Sequence, residues 1–213
     1  MDTGSSHEET VRRREVLHRL LSRAADRDLV GRTVDVDDLI DHALAFVELL
    51  PGGQEFSGSG VDLGSGGGIP GLVVGMFAPR SSWALVDSQA VRADWLDQAC
   101  LELGLDGRVG ALHSRAETLG RQPDWREGVD AVTARLFGPP AVVAEVGSGL
   151  LRVGGRLIVS DRKGPDRWDR GALADLGLER TVASEGFVVL VKKGHLPVRF
   201  PRRDGVPERK PLF

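Results

Sequence analysis

Residues 61–71 read VDLGSGGGIPG, with five glycines in the eight residues from Gly64 to Gly71. An apolar run precedes them and another follows. The stretch is therefore a strand end, a flexible turn and a helix start. Glycine tolerates φ > 0 and lets a ligand come close to the backbone. Pro70 suits the opening of the following helix, where the first amide needs no intrahelical acceptor. A triphosphate loop of the Walker type ends in Gly-Lys-Ser/Thr, and this loop has no lysine. Gly66, Gly68 and Gly71 do match GxGxxG, the dinucleotide fingerprint. A second framing is Asp62-x-Gly64-x-Gly66-x-Gly68, which puts a carboxylate at the strand end. A carboxylate there accepts hydrogen bonds from an ammonium group, directly or through water, and repels a pyrophosphate. Asp62 thus favours an amino-acid-type ligand such as S-adenosylmethionine, with Gly64, Ser65, Gly66 and Gly68 as its cradle. A glycine-rich turn without any ligand is the competing reading.

Working outward, short apolar runs alternate with helical patterns. Strands are expected at Gly60–Leu63, Trp83–Val86, Arg108–His113, Val129–Thr133, Gly155–Ser160, Glu179–Ser184 and Phe187–Lys192. Helices are expected at Gly71–Phe77, Gln89–Leu103, Pro140–Leu151 and Asp166–Leu176. Such alternation predicts an α/β fold with a doubly wound, mostly parallel Rossmann-like sheet. Only Glu185 and Gly186 separate the last two runs, which predicts a hairpin and a C-terminal antiparallel strand. Two helices precede the sheet. One spans 10–29, with Val16, Leu17, Leu20, Leu21 and Ala24 at helical spacing; the other runs from Asp35 or Val36 to Leu50 and is stopped by Pro51-Gly52-Gly53. The expected organisation is a helical segment (1–55), a core (56–195) and a basic tail (196–213), all in one domain.

In a sheet of this kind, ligands bind beyond the carboxyl ends of the strands. The second strand ends at Asp87, which is placed for the two hydroxyls of a ribose or, more plainly, to cap the next helix. The third ends near Ala116 and Glu117, where an adenine can lie. The fourth ends in Thr133-Ala134-Arg135-Leu136-Phe137. Arg135 there can hold a cofactor carboxylate or a substrate phosphate. Phe137 either stacks on a base or packs in the core.

Charged residues are 28% and hydrophobic ones 41% of the 213, the balance of a soluble globular chain. No apolar run reaches the ~20 residues of a membrane helix. The one cysteine, Cys100, excludes an internal disulfide and a CxxC site, and falls on an apolar helix side as a core thiol. A cytoplasmic monomer without metal is expected. The net charge of −3 conceals an asymmetry: 192–213 hold seven Lys or Arg against Asp204 and Glu208. A basic tail on an acidic body suits a polyanion. Arg199, Arg202, Arg203, Arg209 and Lys210 are its candidate phosphate contacts.

VDLGSGGGIPG, ALVDSQAVRADWL, SRAE, TARLFG, the DRKG of Asp161–Gly164 and the ending RFPRRDGVPERKPL together resemble the bacterial small-subunit rRNA guanine-N7 methyltransferases, also called the glucose-inhibited division protein B family. The resemblance implies a class I methyltransferase that binds S-adenosylmethionine and acts on small-subunit rRNA. It implies cofactor contacts at Gly64 and Ile69, an adenine-side pair at Ala116 and Glu117, and Arg135 after the fourth strand. Lys163 and Gly164 fall on its substrate side. The N-terminal segment departs from the family. Its Arg-His-x-x-Asp-Ser is here Asp37-Asp38-Leu39-Ile40-Asp41-His42, so only Asp41 is kept.

Guanine N7 has a free lone pair and loses no proton on attack, so no general base is needed. Arg135 and Lys163 are expected to position groups rather than carry protons. Two further readings stand beside this one. One is a class I methyltransferase acting on another RNA, a protein or a small molecule. The other is a cofactor- or RNA-binding module without turnover.

Overall fold

The structure is a computed structural model; it describes residues 3–30, 35–181 and 185–213. Two helices, α1 (Thr3–Asp26) and α2 (Val36–Leu49), precede the sheet. Then follow β1 (Ser59–Leu63), α3 (Gly71–Phe77), β2 (Ser82–Asp87), α4 (Ala90–Glu102), β3 (Val109–His113), α5 (Ala116–Leu119) and β4 (Val129–Arg135). The chain continues through α6 (Pro140–Leu150), β5 (Leu151–Ser160), α7 (Arg170–Asp175), β6 (Leu178–Arg180), β7 (Phe187–Lys192) and α8 (Val206–Arg209).

The strand order is β3-β2-β1-β4-β5-β7-β6. The first five strands are parallel, while β7 runs antiparallel between β5 and β6. The antiparallel strand is last in sequence, yet β6 takes the edge. The order reverses between β1 and β4, so the loops after these two strands flank a crevice at their carboxyl ends. The Gly64–Gly71 loop and the Arg135–Gly138 loop are those two.

Period-two alternation sorts the strand residues onto two faces. Leu85, Ala131, Ile158, Phe187 and Val189 join one core with α1 to α4. Val61, Val132, Leu157, Val159, Val188 and Leu190 join a second core with α5 to α7. The N-terminal helices share the first core: Leu17, Leu20, Leu21, Ile40 and Phe46 are fully buried against it.

Several boundaries differ from the sequence reading. The first helix starts at Thr3, not residue 10; residues 7–12 are exposed and carry no apolar period, and the Glu9–Arg13 pair at 2.8 Å supports that stretch. The expected helix from Asp166 shrinks to α7, since Asp169 caps it by accepting from the Ala172 amide at 2.8 Å. Residues 182–184 of the expected Glu179–Ser184 strand lie outside the described residues.

The basic tail is not a free tail. Phe200, Pro201 and Pro207 are buried. Arg126 donates to the Leu196 and Phe200 carbonyls at 3.0 and 2.6 Å. Arg202 reaches into the body and pairs with Glu145 of α6.

Candidate active site

The glycine loop is tied down from beneath by two carboxylates. Asp62, at the end of β1, is fully buried. Its Oδ1 accepts from the Thr133 hydroxyl at 2.7 Å, and its Oδ2 accepts from the Gly71 amide at 3.1 Å, at the start of α3. Asp87, at the end of β2, accepts from the Gly66 amide at 3.0 Å and from the Gln89 amide at 2.9 Å. The turn itself closes through Gly68 N to Ser65 O at 2.7 Å. Gly68 has φ +107, and a Cβ there would lie 2.2 Å from a Leu72 methyl. A side chain at this position is excluded both by backbone conformation and by space. Burial pushes the Asp62 carboxyl up to about 6, against the bonds from Thr133 and Gly71 and the nearby Arg135 charge.

Above the loop are two cavities. The first, of about 280 Å³, is lined by Gly64, Asp87, Ser88, Arg92, Ala116, Glu117, Val142 and Glu208, among others. The second, of about 490 Å³, is lined by Asp38, His42, Arg135, Arg162, Lys163 and Trp168, among others. Leu136, Phe137 and Gly138 line both, so the loop after β4 is the ridge between them.

The expected cofactor residues thus divide. Gly64, Asp87, Ala116 and Glu117 come together around the smaller cavity. Asp62, Ser65 and Ile69 are packed behind it, with 0, 2 and 4% exposure. Gly66 and Gly68 shape the turn. Arg135 and Lys163 meet in the larger cavity. Phe137 is half-buried against the second core, and its ring would touch a Cβ on Gly64 at 2.9 Å. The aromatic ring therefore closes on the glycine loop.

The larger cavity is rich in cations. Among the described residues, Arg135, Arg162 and Lys163 have no ion pair. Arg135 is half-buried; desolvation and the neighbouring Arg162 charge hold its pKa below the usual value. The DRKG turn is organised by Asp161, which accepts from the Lys163 amide at 3.0 Å, from Arg167 at 3.2 Å and from Trp168 Nε1 at 2.8 Å. His42 lies flat against Phe187, with centroids 4.8 Å apart, and its Nε2 is 2.9 Å from Ser160 Oγ. Burial, then Arg135 and Arg162, lower its pKa.

The altered N-terminal segment now has a location. Asp41 pairs with Arg14 at 2.6 Å, and Asp37 lies 3.8 Å from His18, both across to α1. Asp38 and His42 instead line the larger cavity. Sequence reasoning noted both as departures and did not place them at the site. It gave Arg162, Leu136, Trp168 and Glu208 no role at the site.

Arg202, an expected phosphate contact, has an internal partner: its Nε and Nη2 donate to the fully buried Glu145 carboxylate at 3.0 and 2.6 Å, and its amide donates to the same group at 2.7 Å. Its charge is used internally. Arg199 lies over the Phe200 ring at 5.0 Å, while Arg203, Arg209 and Lys210 are exposed.

Among the described residues no group of His, Cys, Asp and Glu is placed to hold a metal, and no helix is long and apolar enough to cross a membrane.

The family model described as rRNA small subunit methyltransferase G matches residues 14–166. The chain belongs to the rRNA small subunit methyltransferase G family. It is 34% identical to the enzyme of that name from Lactobacillus johnsonii, over 82% of this chain and 77% of that one. It is 32% identical to the Deinococcus radiodurans enzyme of the same name, over 97% and 86% of the two chains. Solved structures share the fold at lower identity. Aeropyrum pernix fibrillarin, with natively bound S-adenosyl-L-methionine, superposes with TM-score 0.55 at 17% identity, covering 70% and 73%. A putative O-methyltransferase from Klebsiella pneumoniae gives 0.57 at 13%, covering 84% and 90%. As a member of the methyltransferase G family, this chain is an S-adenosylmethionine-dependent methyltransferase.

Proposed function

We propose that this enzyme methylates N7 of a guanine in small-subunit rRNA, with the cofactor in the smaller cavity and the acceptor in the larger. The observation that carries it is the pair of cavities meeting under one loop at the sheet's switch point. Jointly they have the size of a ligand site. When bound, S-adenosylmethionine would supply a sulfonium methyl to the guanine N7 lone pair by in-line displacement: the N7–C bond forms as the C–S bond breaks, S-adenosylhomocysteine leaves, and no proton is lost from the base.

The residues fit that cofactor. Each Asp87 oxygen already accepts one amide and keeps a lone pair for a ribose hydroxyl. Ala116, Val142 and Phe137 give the cavity apolar walls for an adenine. Asp62 acts by fixing the turn through Gly71 and Thr133. Arg135 lines the larger cavity next to the shared ridge, where it can take the cofactor carboxylate or, with Arg162 and Lys163, RNA phosphates. The protein's work is orientation, which can supply up to ~7–11 kcal/mol of the barrier. His42 and Ser160 do not form a nucleophile triad: among the described residues no carboxylate orients the imidazole. Arg199, Arg203, Arg209 and Lys210 extend the cationic surface for rRNA. The site of action is the cytoplasm, where ribosomal subunits are found.

The partition is testable by calorimetry and single-turnover transfer. Asp87→Asn is expected to weaken S-adenosylhomocysteine binding at least tenfold. Lys163→Ala is expected to lower methyl transfer while leaving that affinity within about twofold. Displacement of the bound cofactor by NAD, or loss of its binding in Lys163→Ala, would overturn the assignment of the two cavities.

A further inference from the structure

The loop after β4 carries adjacent large apolar residues with opposite fates. Phe137 is half-buried and closes on Gly64. Leu136 is 86% exposed and has φ +57. The left-handed region is uncommon for a bulky L-residue, because Cβ crowds the carbonyl oxygen. An exposed leucine is ordinary by itself. Here, however, strain, exposure and position coincide. Leu136 lines both cavities at their junction. With so little of it buried, its own side chain does little to hold that backbone. Strain retained at a ligand-lining position points to a role with the ligand.

What would cover this side chain is set by its surroundings. Arg135, Arg162 and Lys163 line the same cavity without ion pairs among the described residues. Cations around an isolated apolar surface suit a nucleotide, whose phosphate is anionic and whose base has a flat apolar face. A base undergoing chemistry also has to leave its stack, and then its exposed face needs a new neighbour. We propose that Leu136 packs on the face of the acceptor nucleobase and holds it where the two cavities meet. This rests on the methyltransferase assignment of the two cavities given above. Phe137 is the residue the sequence offers for stacking, but its ring is committed to the glycine loop. The neighbour one position earlier is the one free to meet the substrate.

The test compares Leu136→Ala, Leu136→Gly and Leu136→Met with the wild type in the full chain. Methyl transfer to small ribosomal subunits lacking the modification, S-adenosylhomocysteine affinity and melting temperature are measured for each. Loss of a buried leucine contact corresponds to about a tenfold to hundredfold fall in kcat/KM for Ala and Gly. Met is expected to stay within about threefold, because it restores apolar contact. S-adenosylhomocysteine affinity is expected within about twofold of wild type throughout. Leu136→Gly is expected to melt no lower than wild type, since glycine accepts this φ and no buried packing is lost. Wild-type transfer rates in Ala and Gly would overturn the proposal and leave the methyltransferase reading standing. A parallel loss of cofactor-product affinity, or a markedly lower melting temperature in Gly, would also overturn it, making Leu136 part of the cofactor wall or the scaffold. If the wild type binds S-adenosylhomocysteine yet transfers nothing to the subunits, the acceptor assignment fails and this proposal fails with it.

Discussion

Asp62 and Asp87 each take a backbone amide of the glycine loop, at Gly71 and Gly66. The sequence made both carboxylates visible as strand-end acids, and so as candidate ligand groups. It could not show that Asp62 turns back into its own chain, because its partner Thr133 is brought beside it only when β4 pairs with β1. Burial raises the Asp62 pKa from 3.8 to about 6. The folded state therefore holds this proton more readily than the unfolded chain. Its contribution to stability is expected to fall as pH rises from about 4 to about 6 and to level off above. Denaturation of wild type and Asp62→Asn across that range checks this: the stability difference between them should change with pH there and be flat above pH 7. Gly68 gives a sharper structural expectation. Gly68→Ala places a methyl against Leu72 at a φ that disfavours it, and a loss of more than about 1 kcal/mol is expected by urea denaturation.

At the scale of elements, the strand–helix alternation was legible because period-two and helical spacings survive in a buried parallel sheet. The C-terminal segment was not, because counting cations does not reveal which of them are paired. One signal was available: Glu145 is the lone charge in the otherwise apolar stretch of α6. A buried carboxylate requires a cation, and Arg202 is that cation. Arg202→Ala leaves Glu145 uncompensated and is expected to cost about 3–5 kcal/mol in urea denaturation. Arg203→Ala, at an exposed position without an ion pair among the described residues, is expected within about 0.5 kcal/mol of wild type. RNA binding should separate these residues in the other direction. Replacing Arg203, Arg209 or Lys210 by Ala is expected to flatten the salt dependence of binding by ~0.7–0.9 per lost phosphate contact. A slope unchanged by all three would place the RNA elsewhere on the surface.

Across the whole molecule, the N-terminal helices do more than cover the sheet. By packing α2 on Phe187, the fold brings Asp38 and His42 to the acceptor cavity. The acidic character of that segment is also partly neutralised, because Asp41 and Asp37 face Arg14 and His18 of α1. Nothing in the linear pattern hints at this, since the pairing depends on how two helices cross. The result is a cavity whose unpaired cations come from the loops after β4 and β5, and whose other wall comes from α2. The most direct test supplies this enzyme with isotopically labelled S-adenosylmethionine and small ribosomal subunits from cells lacking its gene, followed by nucleoside mass spectrometry of the RNA. The expected result is label in 7-methylguanosine at one nucleotide per subunit. Label in a different nucleoside, or none in the RNA while the cofactor remains bound to the enzyme, would contradict the assignment.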